Sequence, residues 1–94
     1  MESDIAFEWD QKKGEDNLRK HRVSFWEARR IWADPLYYRV KVADSPEDRW
    51  LVVGRVSRSR YLSAIITYRG DQAERVRIIS ARASSKAEVR RYHG

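Results

Sequence analysis

The 94-residue sequence contains no cysteine, so neither a disulfide framework nor a thiolate metal site can hold it together. Only two prolines and four glycines punctuate it, with no repeat, low-complexity tract or linker between them. Long apolar runs are missing too: nothing approaches the roughly 20 consecutive apolar residues of a membrane span. The opening Met1–Asp10 is acidic rather than basic-then-apolar. It therefore lacks the pattern of a secretory leader, and a cytoplasmic location is expected. What is plentiful is large rings: four Trp, five Tyr and two Phe. Each buries much area, so one small core can support a chain of this size, and a single domain over 1–94 is expected.

Charge is unevenly spread. Residues 1–48 carry 9 Lys or Arg against 11 Asp or Glu, whereas residues 49–94 carry 11 against 3. The second half is therefore the half that faces a polyanion. Of the 20 basic residues 15 are Arg, whose planar fork grips phosphate at two points, and the partner class this favours is nucleic acid. A solvated basic surface with no ligand meets the same charge count.

The apolar period supplies the order of elements. Ile5, Phe7 and Trp9 alternate with Ala6 and Glu8, the period of a short half-buried strand. Asp10 can cap a first helix from Gln11 to about His21, polar on most faces, with Leu18 its clearest apolar contact. Ser24 and Glu27 form a capping-box pattern for a second helix, Phe25 to Ala33, which carries Phe25, Ala28, Ile31 and Trp32 on one stripe. Asp34-Pro35 ends it. Twofold alternation then predicts four strands: Leu36 to Ala43, Arg49 to Val56, Tyr61 to Arg69 and Glu74 to Ala81. Their short polar connections join antiparallel neighbours. Ser85 with Glu88 opens a third helix ending near Tyr92. The layout β-α-α-β-β-β-β-α predicts an α+β fold, an antiparallel sheet with helices chiefly on one face.

In the last strand Arg75 and Arg77 alternate with Val76 and Ile78, and the arginine side is expected to face solvent or ligand. Counting on by twos places Ser80 and Arg82 on the face of Val76 and Ile78, with Arg82 at a sheet edge where the third helix begins. Arg55 ends the second meander strand, Arg58 and Arg60 fall in the next turn and Tyr68-Arg69 at the far end of the third, and such cations and rings could line a groove for single-stranded RNA. Any one arginine is as readily a solvated residue. Metal chemistry is disfavoured, because the acidic residues are scattered and the two histidines are 72 positions apart. Cleavage through the RNA 2′-hydroxyl without a metal needs a proton acceptor, cations for the phosphate and a donor for the leaving oxygen. His21 suits the acid–base role because an imidazole ordinarily titrates near neutrality. The same residue at a helix end also serves as a cap that favours the dipole. Lys20 with Arg77 or Arg82 could hold the phosphate, and Tyr68 or Tyr92 could donate or stack. His93, next to the C-terminal residue, is expected to fray.

Phe7-Glu8-Trp9-Asp10, Lys13, Asn17, Lys20-His21, Val23-Ser24-Phe25 and Glu27-Ala28 fit the pattern F-x-W-D-x-x-K-x-x-x-N-x-x-K-H-x-V-S-F-x-E-A. Asp34-Pro35, Arg49, Val53-Gly54, Arg69-Gly70, Arg77-Ile78-Ile79-Ser80-Ala81-Arg82, Ala83, Glu88 and Tyr92 continue the match towards the C-terminus. In these residues the chain resembles the BrnT family of type II toxin–antitoxin toxins. Arg22 departs from it, standing where glycine is frequent.

The resemblance implies a RelE-like fold and endoribonuclease activity that stops translation, with no cofactor. It also implies a cognate BrnA-like antitoxin of the ribbon-helix-helix class, assembled with the toxin as a heterotetramer that meets operator DNA only through the antitoxin. Motif membership and chemistry together single out Lys20, His21, Arg77 and Arg82 as catalytic candidates, and Arg55, Tyr68, Arg69 and Tyr92 as RNA contacts. Two other classes fit the residues: a nucleic-acid-binding module without chemistry, and a protein-interaction subunit whose basic sheet seats an acidic partner segment.

Overall fold

A computed structural model describes residues 5–94. Met1–Asp4, on which the leader reading partly rests, lie outside the described residues. The elements are β1 (Ala6–Glu8), α1 (Gln11–His21), α2 (Phe25–Ala28) with a 3-10 turn (Arg29–Ala33), β2 (Tyr38–Ala43), β3 (Arg49–Ser57), β4 (Arg60–Arg69), β5 (Arg75–Ala83) and α3 (Lys86–His93). The fold is α+β, and its five strands lie in the order β1-β5-β4-β3-β2. Strands β2 to β5 form the expected antiparallel meander. The fully antiparallel sheet does not hold, because β1 runs parallel to β5, with Ala6 opposite Arg75 and Glu8 opposite Arg77. A parallel pair needs a long crossover, and here almost the whole chain supplies it.

Asp10 caps α1 by accepting from the Lys13 amide at 3.0 Å. Arg22 closes the helix in the left-handed region, φ 61°. That conformation crowds any side chain, and glycine would adopt it freely. Leu18 is not the inward contact of α1: it is 48% exposed, and the residue that α1 buries is Asn17. The Asn17 side-chain amide donates to Ala81 O at 2.9 Å and accepts from Ala81 N at 3.1 Å, occupying the edge of β5 beyond the end of β1. It also donates to Val23 O at 2.8 Å, so this buried polar group is well satisfied.

Ser24 caps α2 through the Glu27 amide at 2.9 Å. The predicted second helix tightens to 3-10 geometry after Ala28. The turn sets Ile31 against Gly54, where an added Cβ would come within 2.9 Å of Ile31 Cγ2. Phe25, Ala28 and Ile31 are buried on this side with Val52, Leu62, Ala64, Ile66, Val76, Ile78 and Ala81. Phe7 meets Trp32 edge-on at 5.1 Å, and Trp9 meets Phe25 at 6.0 Å. At about 25 cal/mol per Å² of apolar area, this face carries most of the burial that stabilises the fold.

Alternation along β5 is broken once. Ile65 pairs with Ser80 but the next residue, Ile66, pairs with Ile78, so Ile79 is an extra residue in the ladder. Such a bulge reverses the side-chain phase beyond it. Ala81 therefore joins Val76 and Ile78 in the core, and Arg82 turns to the opposite face, not to theirs as counting by twos implies. Ser63 is opposite Arg82 and Thr67 opposite Arg77, so the bulge brings both arginines to one face. Helix α3 packs on that face, through the side chains of Tyr38, Tyr61 and Ser63.

Candidate functional site

Helix α3 is fixed by a polar clamp. Ser85 and Glu88 form a reciprocal capping box, which satisfies amides that a helix start leaves open. The Glu88 carboxylate also takes two bonds from Arg82, at 2.7 and 2.8 Å, and one from the Ser63 hydroxyl at 2.8 Å. Those bonds, the Arg82 guanidinium above all, hold Glu88 down at about 2. Tyr38 of the outer strand β2 donates to the Glu88 backbone carbonyl at 3.0 Å.

The far end of α3 meets the ends of β3 and β4. Tyr61 Oη lies 2.9 Å from His93 Nε2, and the Tyr61, Tyr92 and His93 rings meet edge-on at 5.2 to 5.6 Å. Tyr92 donates to Asp34 Oδ2 at 2.7 Å. Burial and that hydrogen bond push the Tyr92 phenol up to about 12, so it keeps its proton at neutral pH. Burial opposes the charge of Asp34, but the amides of Arg55 and Leu36 and the Tyr92 hydroxyl outweigh it and hold the carboxyl below its ordinary value. The Arg55 guanidinium lies 5.6 Å from the Tyr61 ring, steadied by the carbonyls of Ser57 and Arg58. Its partners are carbonyls and a ring, and no carboxylate pairs with it among the described residues, so it can still meet a phosphate. One imidazole, two phenols, a carboxylate and a cation whose guanidinium makes no ion pair among the described residues thus share one end of the sheet. Together these are a proton carrier, donors and a positive charge, the parts that a phosphodiester cleavage uses.

The candidates read from the sequence fall into several places. Arg55 and Tyr92 belong to this cluster, and Arg82 lies beside it, its charge committed to Glu88. Arg77 shares the face but sits at the other end, 3.0 Å from Glu8. Arg69 is also at that end, 3.6 Å from Glu47. Tyr68 lies on the opposite face, the one under α1 and α2, packed on the core beside Trp50. Lys20 and His21 are exposed at the end of α1, and neither side chain makes a hydrogen bond, ion pair or ring contact among the described residues. No such contact links them to Arg77 or Arg82. His93 is no frayed end: it closes α3 and contacts two rings. Tyr61, Asp34 and His93 escaped sequence reading, although the capping box of α3 is a signal that the helix reaches its last residues.

Among the described residues no three His, Asp or Glu side chains converge as ligands for a metal, and no helix is long and apolar enough to cross a membrane. No curated protein matches the chain. A crystal structure of the ribonuclease toxin BrnT from Brucella abortus has the same fold, with a TM-score of 0.67 at 19% identity. The match covers 87% of this chain and 97% of that one. A family model described as the ribonuclease toxin BrnT of type II toxin–antitoxin systems matches residues 9–88. With that match spanning most of the sequence, this chain belongs to the BrnT family of ribonuclease toxins.

Proposed function

We propose that the chain is a metal-independent endoribonuclease of RelE-like fold that cuts RNA in the cytoplasm, stops translation, and is silenced by a cognate ribbon-helix-helix antitoxin. The observation that carries this reading is the cluster of Arg55, Tyr61, Tyr92 and His93 at the α3 end of the sheet. His93 exchanges a proton with the ribose 2′-hydroxyl directly or through Tyr61, 2.9 Å away. Arg55 takes up the charge that builds on the phosphate, the His93–Tyr61 pair returns the proton to the leaving oxygen, and Tyr92, its hydroxyl given to Asp34, offers its ring to a base. Arg82 positions α3 through Glu88. A rival reading puts the acid–base role on His21 at the end of α1, with Lys20 beside it holding the phosphate. In this reading the antitoxin and toxin form a heterotetramer that meets operator DNA only through the antitoxin.

The test is RNA cleavage in EDTA by the chain freed of its antitoxin. Cleavage should persist in the chelator, and His93→Gln should lower its rate about a hundredfold, in the range a general acid or base supplies. An equal loss in His21→Gln with none in His93→Gln would move the chemistry to the end of α1. Intact RNA after long incubation with wild type would leave a binding module without chemistry.

A further inference from the structure

A second group of rings and cations stands on the opposite side of the sheet. Arg39, Trp50 and Tyr68 come from the successive strands β2, β3 and β4. Their pairings, Arg39 with Val52, Trp50 with Ile66 and Tyr68 with Val76, set all three on the face that α1 and α2 pack against. The Arg39 guanidinium carbon lies 4.5 Å above the Trp50 ring and 5.3 Å from the Tyr68 ring. Its Nη1 donates to the Tyr68 hydroxyl at 2.7 Å, and Trp50 meets Tyr68 edge-on at 6.2 Å. Lys41 stands 5.6 Å from the same Trp50 ring and pairs with Asp48 at 3.3 Å.

Arg39 differs from most arginines of the sheet. Arg69, Arg77 and Arg82 are each tied to a carboxylate. Arg39 is held by rings and one hydroxyl, and its side chain is exposed. Its guanidinium lies over Trp50 and its side chain is exposed, so it can offer solvent a flat cationic surface. That is the surface on which an unpaired base stacks while the charge draws the neighbouring phosphate. A single nucleotide meets both features at once, its base on the flat cation and its phosphate near the charge. The route is short, because Tyr38 and Arg39 are consecutive residues of the outermost strand that point to opposite faces. Tyr38 lies beneath Arg91 of α3, whose guanidinium is 5.3 Å from its ring.

We propose that Arg39, Trp50 and Tyr68 form an auxiliary RNA-contact site that stacks one unpaired base of the strand outside the cleavage cluster. The proposal rests on the ribonuclease reading and extends it by a second point of substrate contact.

The test uses fluorescence anisotropy with short labelled single-stranded 2′-O-methyl oligonucleotides, which cannot be cleaved, and matching abasic strands. Arg39→Ala should weaken binding of the base-bearing strand about tenfold, as loss of one stacked base does, and weaken binding of the abasic strand by clearly less, the share owed to the charge on its phosphate. Arg39→Lys keeps the charge but not the plane and should recover less than half of that loss in log affinity; full recovery would overturn the stacking claim. Equal binding of the base-bearing strand by wild type and Arg39→Ala would overturn the site alone. Loss of antitoxin affinity with RNA affinity untouched would make it a protein contact and also overturn it. If wild type binds neither strand and cuts no RNA, the ribonuclease reading falls together with the site.

Discussion

The two faces of the sheet are built by different physics. Under α1 and α2 the contacts are apolar: Phe25, Ala28 and Ile31 sit on Val52, Leu62, Ala64 and Ile66, with Asn17 the buried polar exception in α1. Under α3 hydrogen bonds and charge surround one buried aliphatic, Val53: Ser63, Arg82 and Glu88 at one end, Tyr61, Tyr92, His93 and Asp34 at the other. Helix α3 buries no residue fully. Apolar contact is insensitive to pH and tolerant of direction, so it suits the face that holds the fold. Directional polar contact is sensitive to both, and it belongs where side chains must be aimed at a substrate.

Substitutions should separate the faces by size of effect. Ile31→Ala, on the apolar side, should cost about 3–4 kcal/mol in urea unfolding, within the range for buried aliphatic truncations; a loss below 1 kcal/mol would break the comparison. Glu88→Gln, which removes the charge at the centre of the polar clamp, should cost about 2 kcal/mol at neutral pH. Because Glu88 is held near 2 when folded against an ordinary value of 4.5, its contribution is complete above pH 4.5 and declines as pH falls toward 2. The stability difference between wild type and Glu88→Gln should shrink across that window, and a constant difference would contradict the clamp. Arg77→Ala removes a half-exposed ion pair to Glu8 and should cost less than about 1 kcal/mol. Smallest and opposite in sign, Arg22→Gly should raise stability by about half a kcal/mol by relieving the left-handed cap.

Local chemistry made most of the elements legible. The caps at Asp10, Ser24 and Ser85 stand where their side chains and spacing place them. The four meander strands fall within a residue or two of the segments that alternation marks. What failed was non-local. No pattern within Ile5–Trp9 says that the strand pairs with β5, or in which direction. The bulge at Ile79 arises from the register of β4 on β5, so counting by twos carried Arg82 to the wrong face. Leu18 looked like the inward residue of α1 because it is apolar, yet the edge of β5 needed an amide, and Asn17 supplied it. The site suffered in the same way. Arg55 and Tyr92 were visible by residue type, but Asp34, Tyr61 and His93 become partners only when β3, β4 and α3 converge.

Asn17 has one more effect. An exposed strand edge invites another chain to add to it, and natural sheets block such invitations with charge, proline or a covering loop. Here a single side-chain amide answers both backbone groups of Ala81, as a neighbouring strand would. An incoming segment therefore meets a filled position on the stretch of β5 that β1 leaves uncovered, and strand addition there is closed.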